Sequence, residues 1–241
     1  MVEKGWCGSL SVFIEMTKQG LPEALILDFG GVLYDIDYGA PIRAFKDLGV
    51  ADFAGLYQQS AQSPMFDDLE CGRISPDNFY TQMQSHCAPE TKRQEVVDAW
   101  NSILTGMHPS RIALVKALGL QTRLFLFSNT NVIHANVFEA WMEKRFGLSA
   151  FRGSFEGIHY SHEMGQRKPD PQAFLSLCSR HRIDPNKAIF IDDSEQHVEG
   201  ARQAGLEVNW HNPVENDVAV WLSARGFELP EEAFRSGPLP V

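Results

Sequence analysis

Cysteine is scarce in this sequence, and the few cysteines present lie far apart. Cys7, Cys71, Cys87 and Cys178 form no Cys-x-x-Cys pair and no cluster with histidine. This spacing argues against a disulfide framework or a zinc site, and it indicates free thiols in a reducing compartment. We therefore expect a cytoplasmic protein.

Long apolar runs are also missing, since no stretch approaches the roughly 20 apolar residues of a membrane span. The mildly apolar residues 10–16 are interrupted by Glu15, and no small-residue cleavage site follows them. We interpret residues 1–20 as an N-terminal extension rather than a signal peptide.

Basic residues are outnumbered by acidic ones, and the formal net charge is −10. This balance argues against nucleic acid or an anionic membrane as the main partner, because both attract basic surfaces. A small phosphorylated metabolite remains compatible with it, since Lys168, backbone N–H groups and a metal can balance that charge locally.

Short apolar runs alternate with helical patterns along most of the chain. The strand-like runs cover residues 25–27, 124–127 and 188–191, with weaker candidates at 155–161 and near Val208. Strands separated by helices imply parallel pairing with right-handed crossovers. We expect an α/β fold, a Rossmann-like parallel sheet core with helices on both faces.

One block interrupts this alternation, because residues 36–105 contain helical patterns and no convincing strand. Ser75 followed by Pro76 is a helix start signal, and the last helix of the block is predicted at about 89–104. Another helix is predicted near the end of the chain, at about 214–225.

The predicted domain limits follow from this pattern. They are an N-terminal extension (1–20), the α/β core (21–35 and 106–230), an inserted helical domain (36–105) and a loosely held, Pro- and Glu-rich C-terminal tail (231–241).

The run 25–27 stops at a single carboxylate, Asp28, and two glycines follow it closely. Gly30 and Gly31 allow a sharp turn and let a ligand approach the backbone. By itself Asp28 is explained equally well as the cap of a following turn. In an open α/β sheet, however, ligands bind beyond the carboxyl ends of the strands.

Two further strand-like runs end in polar residues, Ser128-Asn129 and Asp192-Asp193. Parallel strands would bring these residues and Asp28 to one edge of the sheet. Three carboxylates there would repel one another unless Lys168 or a cation balanced them. Oxygen ligands favour Mg²⁺, and the whole set suits phosphoryl transfer.

Four motifs in order give the sequence a resemblance to the haloacid dehalogenase-like (HAD) hydrolases. They are residues 27–33 (LDFGGVL), 127–130 (FSNT), 167–170 (RKPD) and 191–194 (IDDS), and the resemblance covers roughly residues 23–211. It implies that the inserted helical domain is an α-helical cap. The sequence is also similar to a subgroup that includes bacterial α-D-glucose-1-phosphate phosphatases.

The resemblance implies a role for each motif residue. Asp28 would be the nucleophile and form an aspartyl phosphate. Ser128 and Asn129, with the Gly30-Gly31 turn, would bind the phosphoryl group. Lys168 would neutralise charge on the phosphate and on Asp28.

The resemblance also implies a Mg²⁺ site. Its ligands would be the Asp28 carboxylate, the Gly30 carbonyl and Asp193, which aligns with the family's usual aspartate. Asp192 would lie beside the metal or share the task of binding it.

The sequence departs from the family pattern at two positions. Gly30 stands where HAD phosphatases usually carry a second aspartate as general acid and base, a group worth ~10²–10⁴ in rate. Hydrolysis of a sugar 1-phosphate would be slowed less by the missing general acid, because its anomeric oxygen is a better leaving group. Asp35 and Asp37 could substitute for the missing aspartate, although a solvated turn is favoured for both.

The second departure is His197, which stands where relatives often have Asp or Asn. It either reaches the metal's water shell or faces the next helix.

The favoured function is a Mg²⁺-dependent phosphatase of a small phosphorylated metabolite. One alternative is a metal-independent 2-haloacid dehalogenase, since dehalogenases of this fold also lack the second aspartate. The other is a non-catalytic phosphometabolite-binding protein. The Asp192-Asp193 pair favours a metal and hence the phosphatase.

Overall fold

A five-stranded parallel sheet forms the centre of the protein, in a computed structural model that describes residues 20–57 and 64–235. In chain order its strands are β1 (Ala24–Leu27), β4 (Arg123–Ser128), β5 (Gly157–Tyr160), β6 (Ala188–Asp192) and β7 (Glu207–Trp210). Their order across the sheet is β5-β4-β1-β6-β7. The predicted parallel α/β fold is confirmed.

The central strand β1 is buried on both faces, which explains its uninterrupted apolar run. Leu25 and Leu27 enter a hydrophobic cluster on one face, whereas Ala24 and Ile26 enter a second cluster on the other. Leu27 pairs in register with β4 and with β6. The carboxyl ends of these three strands therefore lie side by side.

Helices cover both faces of the sheet. Four contribute to the first cluster: α6 (Ser110–Gly119), α7 (Val132–Phe146), α8 (Leu148–Arg152) and α12 (Val218–Ala224). Two contribute to the second: α10 (Pro171–His181) and α11 (Glu195–Gln203). A short helix, α9 (Ser161–Met164), follows β5.

The inserted region forms a separate helical block with its own hydrophobic cluster. Its helices are α1 (Gly39–Asp47), α2 (Phe53–Leu56), α3 (Pro64–Glu70), α4 (Pro76–Gln84) and α5 (Arg93–Asn101). Trp100 lies at the centre of the cluster, with ring centroids 5.3 Å from Phe66 and 5.0 Å from Phe79. Ile133 of α7 joins this cluster and so connects the block to the core.

The two connections of this block run side by side as a small antiparallel ribbon, β2 (Asp35–Ile36) and β3 (Leu104–Gly106). The sequence predicts no strand here, because strands of two and three residues are too short to show an alternating pattern. The helix predicted at 89–104 is shorter than expected. It begins at Arg93, where the Lys92 N–H donates to the Glu95 side chain.

The end of the chain differs from expectation in two ways. The helix predicted at 214–225 begins only at Val218, because Asp217 caps it by accepting from the Ala219 N–H. Residues 231–235 of the predicted loose tail are held in place: Ala233 is fully buried in the main core and Arg235 lies 2.9 Å from Asp35.

Residues 1–19 of the predicted extension lie outside the described part of the chain. Within the described ranges, none of the helices has both the length and the apolarity needed to cross a membrane.

Candidate active site

Asp28 lies at the carboxyl end of the central strand, and its backbone is fixed on both sides. Its N–H donates to the Ile191 carbonyl at 2.9 Å, which continues the pairing with β6. The next residues form a tight turn, in which the Gly31 N–H donates to the Tyr34 carbonyl. Gly31 has a φ of +73°, a conformation that glycine adopts easily. The Asp28 carboxylate is therefore held at a fixed point on the sheet edge.

Lys168 connects two of the predicted site carboxylates. Its ammonium Nζ lies 2.8 Å from Asp28 Oδ1 and 2.6 Å from Asp192 Oδ2, and the side chain is fully buried. A buried charge of this kind persists only when it is paired. The structure thus brings together residues that are separated by 140 and 24 positions in the sequence.

Asn129 holds the loop that carries Lys168. Its side-chain amide donates to the Lys168 carbonyl at 2.8 Å, and its carbonyl oxygen accepts from the Lys168 N–H at 2.9 Å. Both polar atoms are thus occupied by the backbone of Lys168, a contact that the sequence analysis did not foresee. The predicted contact of Asn129 with a phosphoryl group stays a prediction.

Asp192 accepts hydrogen bonds from three directions. Besides Lys168, the Ser194 N–H donates to its Oδ1 at 2.8 Å, and His197 Nδ1 lies 3.0 Å from Oδ1. Burial alone would raise the pKa of Asp192, but Lys168 and His197 outweigh it and lower this pKa. Asp192 therefore remains ionised, and His197 is placed against it rather than against the next helix.

The pKa values of the other two carboxylates, Asp28 and Asp193, shift in the opposite direction. Burial, followed by the neighbouring Asp192, raises the pKa of Asp28 despite Lys168. The same two causes raise the pKa of Asp193 to about 7. Three carboxylates face one buried lysine, so the cluster holds more negative charge than its own residues balance.

Asp193 lies over the glycine turn. A side chain on Gly31 would collide with Asp193 Oδ2, so only glycine allows this close approach. On the other side, the indole N–H of Trp210 donates to the Asp193 carbonyl at 2.8 Å. Asp193 is in this way brought next to the Asp28 turn, as predicted for a shared ligand site.

The donor set fits a hard divalent cation. Within the described chain, ligand atoms of Asp28, Asp192 and His197 lie within 4.8 Å of one another. Asp193 adds a further carboxylate beside Gly31. Carboxylate oxygens with excess negative charge suit Mg²⁺, and such an ion would offset the repulsion that raises the pKa of Asp28 and Asp193.

A cavity of about 80 Å³ lies between this cluster and the inserted helices. Asp28, Ser128 and Asn129 line one end of it. The remaining lining is partly polar (Tyr38, Tyr57, Glu70, Thr130, His134, Arg167 and His197) and partly apolar (Phe29, Tyr34, Ile36, Ile103, Leu104 and Phe138), with Gly30 between them.

Two acids considered as substitutes for the missing aspartate do not line this cavity. Asp37 Oδ1 accepts from the Gly39 N–H at the start of α1, and Asp37 Oδ2 lies 2.6 Å from Arg43. Asp35 pairs with Arg235. Asp37 agrees with the favoured interpretation of a solvated turn, whereas Asp35 lies in strand β2 with a half-buried side chain, contrary to that interpretation.

The sequence does not predict the cavity residues of the inserted helical block, notably Tyr57 and Glu70. Arg167 stands in the third motif (residues 167–170) without a predicted role. Arg167 could have been noticed as a second cation beside Lys168, whereas Tyr57 and Glu70 carry no local signal.

Comparisons with known proteins agree with this geometry. D-ribitol-5-phosphate phosphatase of Bacteroides thetaiotaomicron is 26% identical over 185 residues, 76% of this chain and 88% of the relative. A HAD family enzyme of the same organism, crystallised with magnesium and inorganic phosphate, is similar with a TM-score of 0.72 at 27% identity, over 84% of this chain and 100% of that chain.

A predicted HAD-like family hydrolase from Porphyromonas gingivalis gives a TM-score of 0.73 at 29% identity, over 85% of this chain and 98% of that chain. A family model described as haloacid dehalogenase-like hydrolase matches residues 22–205. The chain therefore belongs to the haloacid dehalogenase-like hydrolase family.

Proposed function

We propose that this protein is a magnesium-dependent phosphatase of a small phosphorylated metabolite, with Asp28 as the nucleophile. The observation that carries the proposal is the buried Lys168 ammonium, which lies against both Asp28 and Asp192, while Asp28 itself lines the cavity. A carboxylate beside a fixed cation is poised to attack phosphorus while the charge of the transferring group is balanced.

The reaction divides into two displacements at phosphorus. In the first, an Asp28 oxygen forms a bond to phosphorus and the bond from phosphorus to the leaving-group oxygen breaks, giving an aspartyl phosphate and an alcohol whose oxygen takes a proton from solvent water. In the second, water attacks the same phosphorus and the bond from phosphorus to the Asp28 oxygen breaks. This step releases inorganic phosphate, restores the Asp28 carboxylate and returns a proton to solvent. Lys168 balances charge on the carboxylate and the phosphoryl oxygens throughout.

Other residues hold these groups in position. Asp192, fixed by His197 and the Ser194 N–H, orients the Lys168 ammonium. Ser128, at the end of β4, would donate to a phosphoryl oxygen. Such fixed donors contribute most when the site excludes water.

Mg²⁺ would be held by Asp28, Asp193 and the Gly30 carbonyl, with Asp192 beside it. When bound, it would neutralise negative charge on the phosphoryl group and on the carboxylates. The excess of carboxylates over lysine supports this assignment. The activities of the similar phosphatases support a polyol or sugar phosphate as the first substrate to test. The cytoplasmic location stays a prediction.

The test is phosphate release from p-nitrophenyl phosphate with Mg²⁺ and with EDTA. We expect activity only with Mg²⁺, and a loss of about 10³-fold or more in Asp28→Asn, as for removal of a nucleophile. Asp98→Asn on the exposed face of α5 is the matched control and should keep its rate. Chloride release from a 2-haloacid in EDTA, or an Asp28→Asn protein as active as the parent, would overturn the proposal.

A further inference from the structure

The cavity contains a second charged cluster on its cap side. The Arg167 guanidinium lies 2.9 Å from Asp67 Oδ1 and 3.1 Å from Glu70 Oε2, both on α3. Arg167 and Glu70 line the cavity, and their side chains are only 17% and 9% exposed. Asp28, which contacts Lys168, lines the same cavity, so this cluster faces the space next to the proposed nucleophile.

The charges of this cluster do not favour a second anion. Two carboxylates face one guanidinium, and Arg167 is already paired with both of them. Burial acts to raise the pKa of Asp67, but the hydrogen bonds and charges of Arg167 and Arg73 together outweigh it, and this pKa is lowered. The next cation, Arg73, is engaged with Asp67 and Asp68 on the exposed side of α3. The cap side of the cavity is therefore neutral to negative.

We propose that the site selects phosphomonoesters whose leaving group is uncharged and hydroxylated, and that Glu70, held by Arg167, is the residue that rejects a second anionic group. This inference rests on the proposed phosphatase function and adds its specificity. Juxtaposed like charges are a strong means of rejecting a wrong ligand.

Glu70 also has the chemistry to accept a substrate hydroxyl. An ionised carboxylate offers about four acceptor positions, so it can accept from more than one donor at a time. The phenol of Tyr57 lines the same wall. Burial, followed by the charge of Glu70, raises the pKa of Tyr57, which keeps this phenol protonated as a donor. Hydroxyl groups of a polyol can bond to both side chains, whereas a carboxylate or phosphate would repel Glu70.

The remaining walls of the cavity are apolar. Ile36, Ile103 and Leu104 offer no partner to a charge. These walls therefore favour an uncharged leaving group over one that carries a second anionic group.

The test compares glycerol 3-phosphate with 3-phosphoglycerate, which differ only by a carboxylate in place of a terminal hydroxymethyl group. With Mg²⁺ we expect kcat/KM to be about 10- to 100-fold higher for glycerol 3-phosphate than for 3-phosphoglycerate. The reason is the single like-charge contact that the carboxylate of 3-phosphoglycerate would make with Glu70. In Glu70→Gln this ratio should fall about tenfold or more. Because the ratio is taken within one protein sample, it does not depend on the fraction of folded enzyme.

Asp68→Asn is the matched control, since it removes one negative charge from the same helix on the side facing Arg73. Its ratio should stay within about twofold of the parent ratio, because an exposed charge is screened by solvent. Equal kcat/KM values for the two esters in the parent protein, or an unchanged ratio in Glu70→Gln, would overturn the assignment of Glu70 and leave the phosphatase function standing. No phosphate release from either ester or from p-nitrophenyl phosphate would contradict both.

Discussion

Ile36 occupies the space beside Gly30 into which a side chain at position 30 would extend. A Cβ atom built on Gly30 would lie 3.1 Å from Cδ1 of Ile36, closer than Cβ atoms normally approach a neighbour. Ile36 also lines the cavity. The absence of an aspartate at position 30 thus fits the packing of the cavity wall, where Ile36 fills the space. Restoring a general acid requires a smaller residue at position 36 as well as a carboxyl group at position 30.

This packing predicts that Gly30→Asp alone lowers phosphatase activity, whereas Gly30→Asp with Ile36→Ala improves turnover of poor leaving groups. A general acid contributes about 10²–10⁴ in rate, mainly where the leaving group is basic. The measurement is kcat/KM across a series of aryl and alkyl phosphates, plotted against leaving-group pKa. The double variant should give a shallower slope than Ile36→Ala alone, and equal slopes would refute the idea.

His134 should make stability depend on pH. Its ring stacks on Trp100 with centroids 4.6 Å apart, and its Nε2 lies 3.2 Å from the Trp100 carbonyl. Burial lowers the pKa of His134 to about 4 from an ordinary value of 6.5. The folded state resists protonation of His134. The neutral His134 ring therefore contributes fully to the free energy of unfolding above pH 6.5, and this contribution is lost as the pH falls towards 4.

We therefore expect the free energy of unfolding to fall about 2 kcal/mol more between pH 7.5 and 4.5 in the parent protein than in His134→Gln. Urea unfolding of both proteins at the two pH values measures this difference. His159 and His211 also have pKa values lowered to about 4, by burial first of all, but they are common to both proteins and cancel. Parallel pH profiles would show that His134 is not buried as a neutral ring.

The fold was largely predictable from the sequence because its main strands are buried on both faces. Their continuous apolar runs end in polar residues, and parallel pairing then places Asp28 and Asp192 together. The register of Leu27 with Ile191 and the bonds of Lys168 bear out this reasoning. Buried parallel strands leave a strong local pattern, and so these parts of the site could be inferred without coordinates.

The rest of the site depends on contacts that leave no local pattern. Glu70 reaches the cavity only because α3 packs on the core, where Gly72 lies so close to the His162 carbonyl that a side chain would collide with it. Ile36 belongs to a strand too short for periodicity. The role of Asn129 in holding Lys168 likewise depends on a loop that is distant in the sequence.

Lys168 should be essential for stability as well as for catalysis. Lys168→Met would leave Asp28 and Asp192 without their shared cation, and removing one partner of a buried ion pair costs about 3–5 kcal/mol. Adding Asn at position 192, in Lys168→Met/Asp192→Asn, should recover part of that stability but not the activity. Urea unfolding in EDTA and p-nitrophenyl phosphate turnover measure the two effects. A Lys168→Met protein as stable as its parent would contradict the geometry.

The central claim is that Asp28 carries the phosphoryl group during turnover. The direct measurement is rapid acid quench of the protein mixed with Mg²⁺ and glycerol 3-phosphate that carries the radiolabel on phosphorus. The label bound to protein is then counted. We expect protein-bound label that is stable to acid and is released by hydroxylamine, as from an acyl phosphate. The label should be located in the peptide containing Asp28 and absent from Asp28→Asn. Turnover without any bound label, or equal labelling of Asp28→Asn, would contradict it.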